Sequence, residues 1–356
     1  KSIISLFENT DYRIVNLEAP ITKDDPANKI IKTGPHLRND STTIIPFLKL
    51  LKMDLVTLAN NHILDYGSNG LMNTFNILNK EEIPYLGAGS NLDDAAKHYC
   101  IENNKIKIAI LNFCESEWSI AKDDKPGCNP LNIINNVNQI KQAKINHDKV
   151  ICIIHGGHEH YELPSPNMVD QYHFYAENGA DAIVGHHTHC IGGYETYKGV
   201  PIIYSLGNFI FTKKNKHTTW YTGLILNLKI SKEKNIEFEL YPHCQNKQNL
   251  SIKLLEGNSK QLVIDKLKTL NKIITNKELL LKYWNEFLLE KQEEYISMFS
   301  PIWGIKYPRI RGLLYRLKIH KLLPSNTHLK IILNIIRCES HAEVVKQSIE
   351  NKINKK

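Results

Sequence analysis

The chain has 356 residues, 42% hydrophobic and 23% charged, which excludes a disordered or fibrous chain and leaves enough apolar surface for a sizeable core. No stretch reaches about 18 consecutive apolar residues, and the start lacks the basic-then-apolar layout of a secretory signal, so the sequence as given is expected to be soluble. The net charge of +8 is uneven: residues 251–356 hold 20 Lys+Arg against 10 Asp+Glu, and residues 1–250 hold 25 against 27.

Up to about residue 210, short β-branched runs alternate with helical patterns. The runs are RIVNLE from 13, DLVTLA from 54, KIKIAILNF from 105, KVICIIH from 149, DAIVGH from 181 and PIIYSLGN from 201. Such alternation predicts an α/β fold with strands buried on both faces. Amphipathic stretches at 69–80 and 132–145 have the length of helices that cover a sheet. GLILNLKI and IEFELY, split by the polar KEKN, predict a β-hairpin over 222–242. From about residue 251 the pattern turns helical, as in Val263, Leu267, Leu270 and Ile274, with breaks at Pro301, Pro308 and Pro324. This predicts one α/β domain over 1–250 and a basic helical region over 251–356, ending in a frayed NKINKK. The seven cysteines (Cys100, Cys114, Cys128, Cys152, Cys190, Cys244, Cys338) form no CxxC pair, favouring reduced thiols in a cytoplasmic setting over a disulfide framework.

Metal-capable residues follow directly after the apolar runs, where α/β sheets place their sites. Asn16 and Glu18 close RIVNLE; Asn60, Asn61 and His62 follow DLVTLA; His155 ends VICII; His186, His187 and His189 follow DAIVG. Imidazole nitrogens, a carboxylate and an amide oxygen suit Mn²⁺, Fe²⁺ or Zn²⁺, and a pair of such ions polarises a phosphoryl oxygen and generates hydroxide near neutral pH. In an extended HTH segment His187 and His189 point the same way and reach one centre. Any one of these histidines alone reads more often as a capping or core residue than as a ligand; together they predict a metal site.

These residues sit within VNLEAPIT (15–22), LVTLANNHILDYGSNGL (55–71), PYLGAGSNLDDA (84–95), and GADAIVGHHTHC with KGVPIIYSLGNFIF over 179–211. Over about residues 10–212 the chain resembles the CapA family of capsule and poly-γ-glutamate synthesis proteins, which is similar to calcineurin-like metallophosphoesterases. The resemblance implies a four-layer α/β/β/α sandwich, here with a C-terminal helical extension, and a centre of two divalent ions. It implies Glu18 as a bridging carboxylate, Asn61 as the amide ligand, His155, His187 and His189 as imidazole ligands, and His186 as an adjacent candidate. It also implies His62 as the acid while metal-bound hydroxide attacks a phosphoester. The opening strand with its Gly-Asp metal carboxylate is not found after Lys1: either the sequence begins downstream of it, the reading adopted, or a residue elsewhere substitutes, or the centre holds one ion and catalyses poorly. An anchor preceding Lys1 would likewise be invisible.

Smaller expectations attach to other residues. Asp65 either orients His62 or is a helix N-cap or turn residue. His158 and His160, in GGHEHYELP, lack the HExxH spacing and are expected to line the cleft and touch substrate. Asn208 holds the site or, by preference, caps a turn, and Glu117 with Trp118 is read as loop packing. The basic stretch with Lys306, Arg309, Arg311, Arg316, Lys318 and Lys321, interleaved with Leu313, Leu314, Leu317 and Ile319, either packs its leucines, the preferred reading, or lies on an anionic membrane.

Two functions remain in competition: a metal-dependent phosphoesterase of capsule or polymer biosynthesis, and a non-catalytic subunit or regulator of a membrane-bound polymer synthase complex. The first takes a phosphoester or polymer substrate. Nucleic acid is disfavoured as a partner because the tail has no recognisable binding motif. The expected location is the cytoplasm or the membrane periphery.

Overall fold

In the computed structural model the described residues are 3–300, 302, 305, 307–319 and 325–354. Lys306, Lys321, Pro301 and Pro324 of the sequence reading lie outside them. The chain divides into two compact units, one ending at Leu280 and one starting at Leu281.

The first unit is mixed α/β. It opens with α1 (Ile3–Glu8), β1 (Ile14–Asn16), α2 (Ser41–Leu50), β2 (Leu55–Thr57), α3 (Gly67–Lys80) and β3 (Tyr85–Leu86). Then come β4 (Ala88–Gly89), α4 (Leu92–Ala95), β5 (Tyr99–Asn103), β6 (Ile106–Cys114), β7 (Gly127–Cys128), α5 (Ile133–Asn146) and β8 (Lys149–His155). It continues through α6 (Pro166–Glu177), β9 (Ala182–His186), β10 (Tyr194–Tyr197), β11 (Val200–Ile203), β12 (Thr222–Lys229), β13 (Glu237–Gln245), β14 (Ile252–Leu254) and α7 (Gly257–Ile274). Each strand run read from the sequence is present, and so are the two helices covering the sheets.

The strands β1-β2-β3 form a parallel sheet, and a six-stranded sheet has the order β10-β11-β9-β8-β6-β5. In the larger sheet the four inner strands run parallel, while β5 and β10 pair antiparallel at the edges. Alternation along each strand decides which layer it feeds. Ile14 and Leu55 share one apolar cluster with Ile108, Ile110, Ile151 and Ile153. Val56 and Leu58 instead join Leu48 of α2 and Leu71 and Leu78 of α3. On the larger sheet, Leu111, Phe113, Cys152 and Ile154 pack with Val137 and Ile140 of α5 and Tyr172 and Tyr175 of α6. All seven residues of β8 are buried, the continuous apolar run expected of an inner parallel strand.

Local signals set the helix starts. Asp40, Asn132 and Ser165 accept hydrogen bonds from the backbone N–H of Thr42, Asn135 and Met168, and Pro166 opens α6. Helix α2 was not foreseen because Pro46, normally a helix breaker, lies inside it. The composition changes near residue 250, yet Leu267, Leu270, Ile273 and Ile274 of α7 belong to clusters of the first unit, and the division between units falls after Leu280.

The second unit contains most of α8 (Lys277–Ser297), then α9 (Pro308–Arg316), α10 (Asn326–Arg337) and α11 (Glu339–Asn354), with α10 against α11. Helix α11 runs to Asn354, so the expected fraying does not reach Asn351–Asn354; Lys355 and Lys356 lie outside the described residues. Neither α9 nor α10 buries a residue, and Leu313 and Leu317 are 56% and 60% exposed, contrary to the expectation that these leucines pack. Among the described residues no helix is long and apolar enough to cross a membrane, and all seven cysteines are free.

Candidate metal centre

The carboxyl ends of β1, β2, β6, β8 and β9 meet at one place. His155, the last residue of β8, lies with Nε2 at 3.1 Å from Asn61 Oδ1, in the turn after β2, and at 3.1 Å from His187 Nδ1, just past β9. His155 Nε2 thus stands beside an amide oxygen and a second imidazole nitrogen, donor types that suit one divalent cation. The Asn61 amide is fixed for this role: its Nδ2 donates to Glu117 Oε2 at 2.9 Å, which turns Oδ1 towards the imidazoles. Asn60, by contrast, is structural, donating from Nδ2 to Leu17 O and accepting from His62 N.

Around this triad one buried carboxylate oxygen is left without a hydrogen bond. Glu18, after β1, has Oε1 at 3.5 Å from His189 Nε2, and that buried oxygen accepts no hydrogen bond. His155 Nδ1 is buried without a partner as well. Glu115 Oε1 sits 3.5 Å from His187 Nε2, and Glu115 Oε2 accepts from Gly157 N. Ligand atoms of Glu115, Glu117 and His187 lie within 4.8 Å of one another, a group able to hold a metal ion. The buried Glu18 oxygen left without a hydrogen bond costs free energy that a divalent cation beside it would recover, so the donor set fits one.

The electrostatics point the same way. Burial pushes the Glu18 carboxyl up and that of Glu115 up to about 7, the latter raised further by Glu117. Burial, then His187, depresses His155, and burial, then His189, brings His187 to about 4. Neutral imidazoles beside carboxyls that resist ionisation form an environment a cation reverses.

The backbone delivering the last two histidines is not extended. His187 and His189 have φ of 97° and 57°, so the expected extended HTH segment is a left-handed turn, and the two rings reach different carboxylates, Glu115 and Glu18. Non-glycine residues held at positive φ cost about 1–3 kcal/mol and concentrate at functional sites. Asn208 accepts at Oδ1 from His189 Nδ1 at 2.9 Å and donates to Trp220 O, so it orients a site histidine where turn capping was preferred. His186 ends β9 outside these contacts, and burial brings it to about 4.

His62 lies beside this group. Its Nδ1 is 2.7 Å from Asp65 Oδ2, and Asp65 caps no helix, since Tyr66 is the N-cap of α3. Asp65 is fully buried, accepts from Leu37 N at 2.6 Å, and pairs with Lys32, whose side chain is 2% exposed. Lys32 Nζ also stands 3.1 Å from His62 Nδ1, but with that nitrogen's proton directed to Asp65 this contact is no hydrogen bond. His158 and His160 follow β8; burial lowers His158, and the His160 ring stacks on His217 at 4.6 Å and lies 6.2 Å from His189.

Three participants escaped the sequence reading. Glu115 directly follows β6, so the strand-end rule that found the histidines would have found it too. Glu117, read as loop packing, holds Asn61. Lys32 lies in a long loop with no local signal.

The family model for the bacterial capsule synthesis protein PGA_cap matches residues 1–213. The capsule biosynthesis protein CapA of Bacillus anthracis is 33% identical over 212 residues, covering 57% of this chain and 51% of that one. The PGA biosynthesis protein CapA of Bacillus subtilis (strain 168) is 32% identical over 209 residues, 58% of this chain and 54% of that one. A probable polyglutamine synthesis accessory protein of Mycobacterium tuberculosis is 28% identical over 222 residues, 58% of each chain. The chain thus spans about half the length of these relatives. The match covers the segments that carry Glu18, Asn61, His155, His187 and His189, and this chain belongs to the bacterial capsule synthesis protein PGA_cap family.

Proposed function

We propose that this chain is a metal-dependent phosphoester hydrolase in the production of a capsule or poly-γ-glutamate polymer, built as a four-layer α/β/β/α sandwich. The observation that carries the reading is His155 Nε2 at 3.1 Å from both Asn61 Oδ1 and His187 Nδ1, with the buried Glu18 Oε1 of the same site accepting no hydrogen bond. Layering is supported by the cluster shared between β1, β2 and the larger sheet, with α2 and α3 on one side and α5 and α6 on the other.

In this reading Asn61, His155 and His187 hold one divalent ion, and Glu18 with His189 faces a second. Bound ions of this kind polarise a phosphoryl oxygen and lower the pKa of water. Asn208 and Glu117 orient His189 and Asn61. His62, with Nδ1 directed at Asp65, keeps Nε2 as the nitrogen that gives a proton to the leaving oxygen, a role usually worth about 10²–10⁴ in rate. His158 and His160 contribute to substrate contact.

The test is hydrolysis of p-nitrophenyl phosphate and bis-p-nitrophenyl phosphate with Mn²⁺ or Zn²⁺. A His62→Gln variant should bind metal like the parent and lose on the order of 100-fold in kcat. Metal binding without turnover above the variant's background would replace hydrolysis by the second reading, an accessory subunit of a membrane-bound polymer synthase, which the name of the Mycobacterium tuberculosis relative favours.

A further inference from the structure

Between Glu294 and Glu339 the sequence has no Asp or Glu and eight Lys+Arg, so this stretch of the second unit carries one sign of charge. The helices within it leave several apolar residues exposed, while Leu314, Leu329, Ile332 and Ile335 are half-buried. On α9, Ile310, Leu313 and Leu317 are 48%, 56% and 60% exposed and recur at helical spacing. On α10, Ile331, Leu333 and Ile336 are 55%, 57% and 58% exposed. Arg309, Arg311 and Arg316 belong to the same helix as the first set, and Lys330 and Arg337 to that of the second.

Ordinary solvated faces do not combine these features. Exposed leucine and isoleucine recurring along a helix are unfavourable in water, and soluble surfaces carry both charge signs interspersed. A second copy of the chain would set this cationic face against its own like charges. An anionic bilayer surface satisfies both properties at once, because lipid phosphates attract Lys and Arg while aliphatic side chains reach the acyl boundary. Neither helix is long and apolar enough to cross a membrane.

We propose that α9 and α10 form an interfacial docking surface for an anionic membrane, holding the chain on the bilayer without crossing it. This proposal does not depend on the metal centre, because it uses residues of the second unit alone.

The experiment is vesicle flotation of the full chain with phosphatidylcholine vesicles and with vesicles of phosphatidylcholine and phosphatidylglycerol at equal proportions. The expected result is binding to the phosphatidylglycerol vesicles alone, released by raised salt. Each Lys or Arg near such a surface contributes about a fivefold gain in partitioning, so neutralising Arg309, Arg311 and Arg316 to Gln should weaken binding on the order of 100-fold. A second variant, Leu313→Ser with Leu317→Ser, should weaken it at unchanged charge, and both variants should keep the parent's circular dichroism, since none of the substituted sites is buried. Equal binding to both vesicle types, or none, would overturn the proposal. So would absence of vesicle binding together with a concentration-dependent dimer in light scattering, which would assign the face to a second copy.

Discussion

Replacing Lys32 by Met separates the His62–Asp65 pair from its counter-ion and leaves the rest of the loop in place. Lys32 and Asp65 have side-chain exposures of 2% and 0%, so neither charge is relieved by solvent when the other is removed. Breaking a buried ion pair from one side costs about 3–5 kcal/mol. The Asp65 carboxylate keeps its bonds from Leu37 N at 2.6 Å and with His62 Nδ1 at 2.7 Å, which places the loss at the lower end, about 3 kcal/mol. At about 2.1 cal/mol/K per residue, a unit of this size unfolds with roughly 0.6 kcal/mol/K, so Tm should fall by about 5 °C. The assay is thermal unfolding by circular dichroism of the parent, Lys32→Met, Asp65→Asn and the double variant. The pair interaction predicts that the double variant loses less than the sum of the singles by at least about 1 kcal/mol. A Lys32→Met variant within about 1 °C of the parent, or strict additivity, would refute the reasoning.

Two further predictions concern the support and the charge of the site. Gly87 has φ +88°, and a Cβ there would lie 2.1 Å from Asn112 Oδ1, which accepts from Ala59 N at 2.8 Å ahead of the Asn60–Asn61–His62 turn. Gly87→Ala should cost about 2–4 kcal/mol in denaturant unfolding and weaken metal binding; unchanged stability would contradict the tight packing. Glu115 is raised to about 7 by burial, so its neutral form is favoured in the fold. That contribution is complete below its unfolded value of about 4.5 and is lost as pH rises through about 7. In metal-free protein Glu115→Gln should therefore be more stabilising, relative to the parent, at pH 8 than at pH 4.5. The gain is about 1 kcal/mol once its 32% side-chain exposure is discounted. Divalent metal should reverse the sign at pH 8, since the cation favours the ionised carboxylate that the variant lacks. A difference that is the same at both pH values would contradict the burial argument.

Much of the fold was legible because inner strands of a parallel sheet have a continuous apolar middle, as in the VICII of KVICIIH, and because several metal-capable residues just after such runs are hard to produce by unrelated capping needs. The edge strand β5, with alternating burial, and the short β3, β4 and β7 give no comparable signal, since their positions depend on partners distant in sequence. The conformation at His187 and His189 was misread because spacing alone does not distinguish an extended segment from a left-handed turn, and here tertiary packing chose the turn. Lys32 was illegible for a related reason: a lysine in a loop is normally solvated, and only the fold brings it to Asp65. The exposed leucines of α9 show the converse, a helical apolar stripe whose pattern is the same whether or not something covers it.

The central claim is that Asn61, His155 and His187 form a metal shell. Plasma mass spectrometry of the full chain, purified from cells supplied with Mn²⁺ or Zn²⁺, measures this directly beside His155→Ala and His187→Ala variants checked for folding by circular dichroism. The account predicts roughly one to two metal equivalents in the parent and a loss of at least one in each variant. A parent without metal, or variants that retain the full parental content, would contradict it.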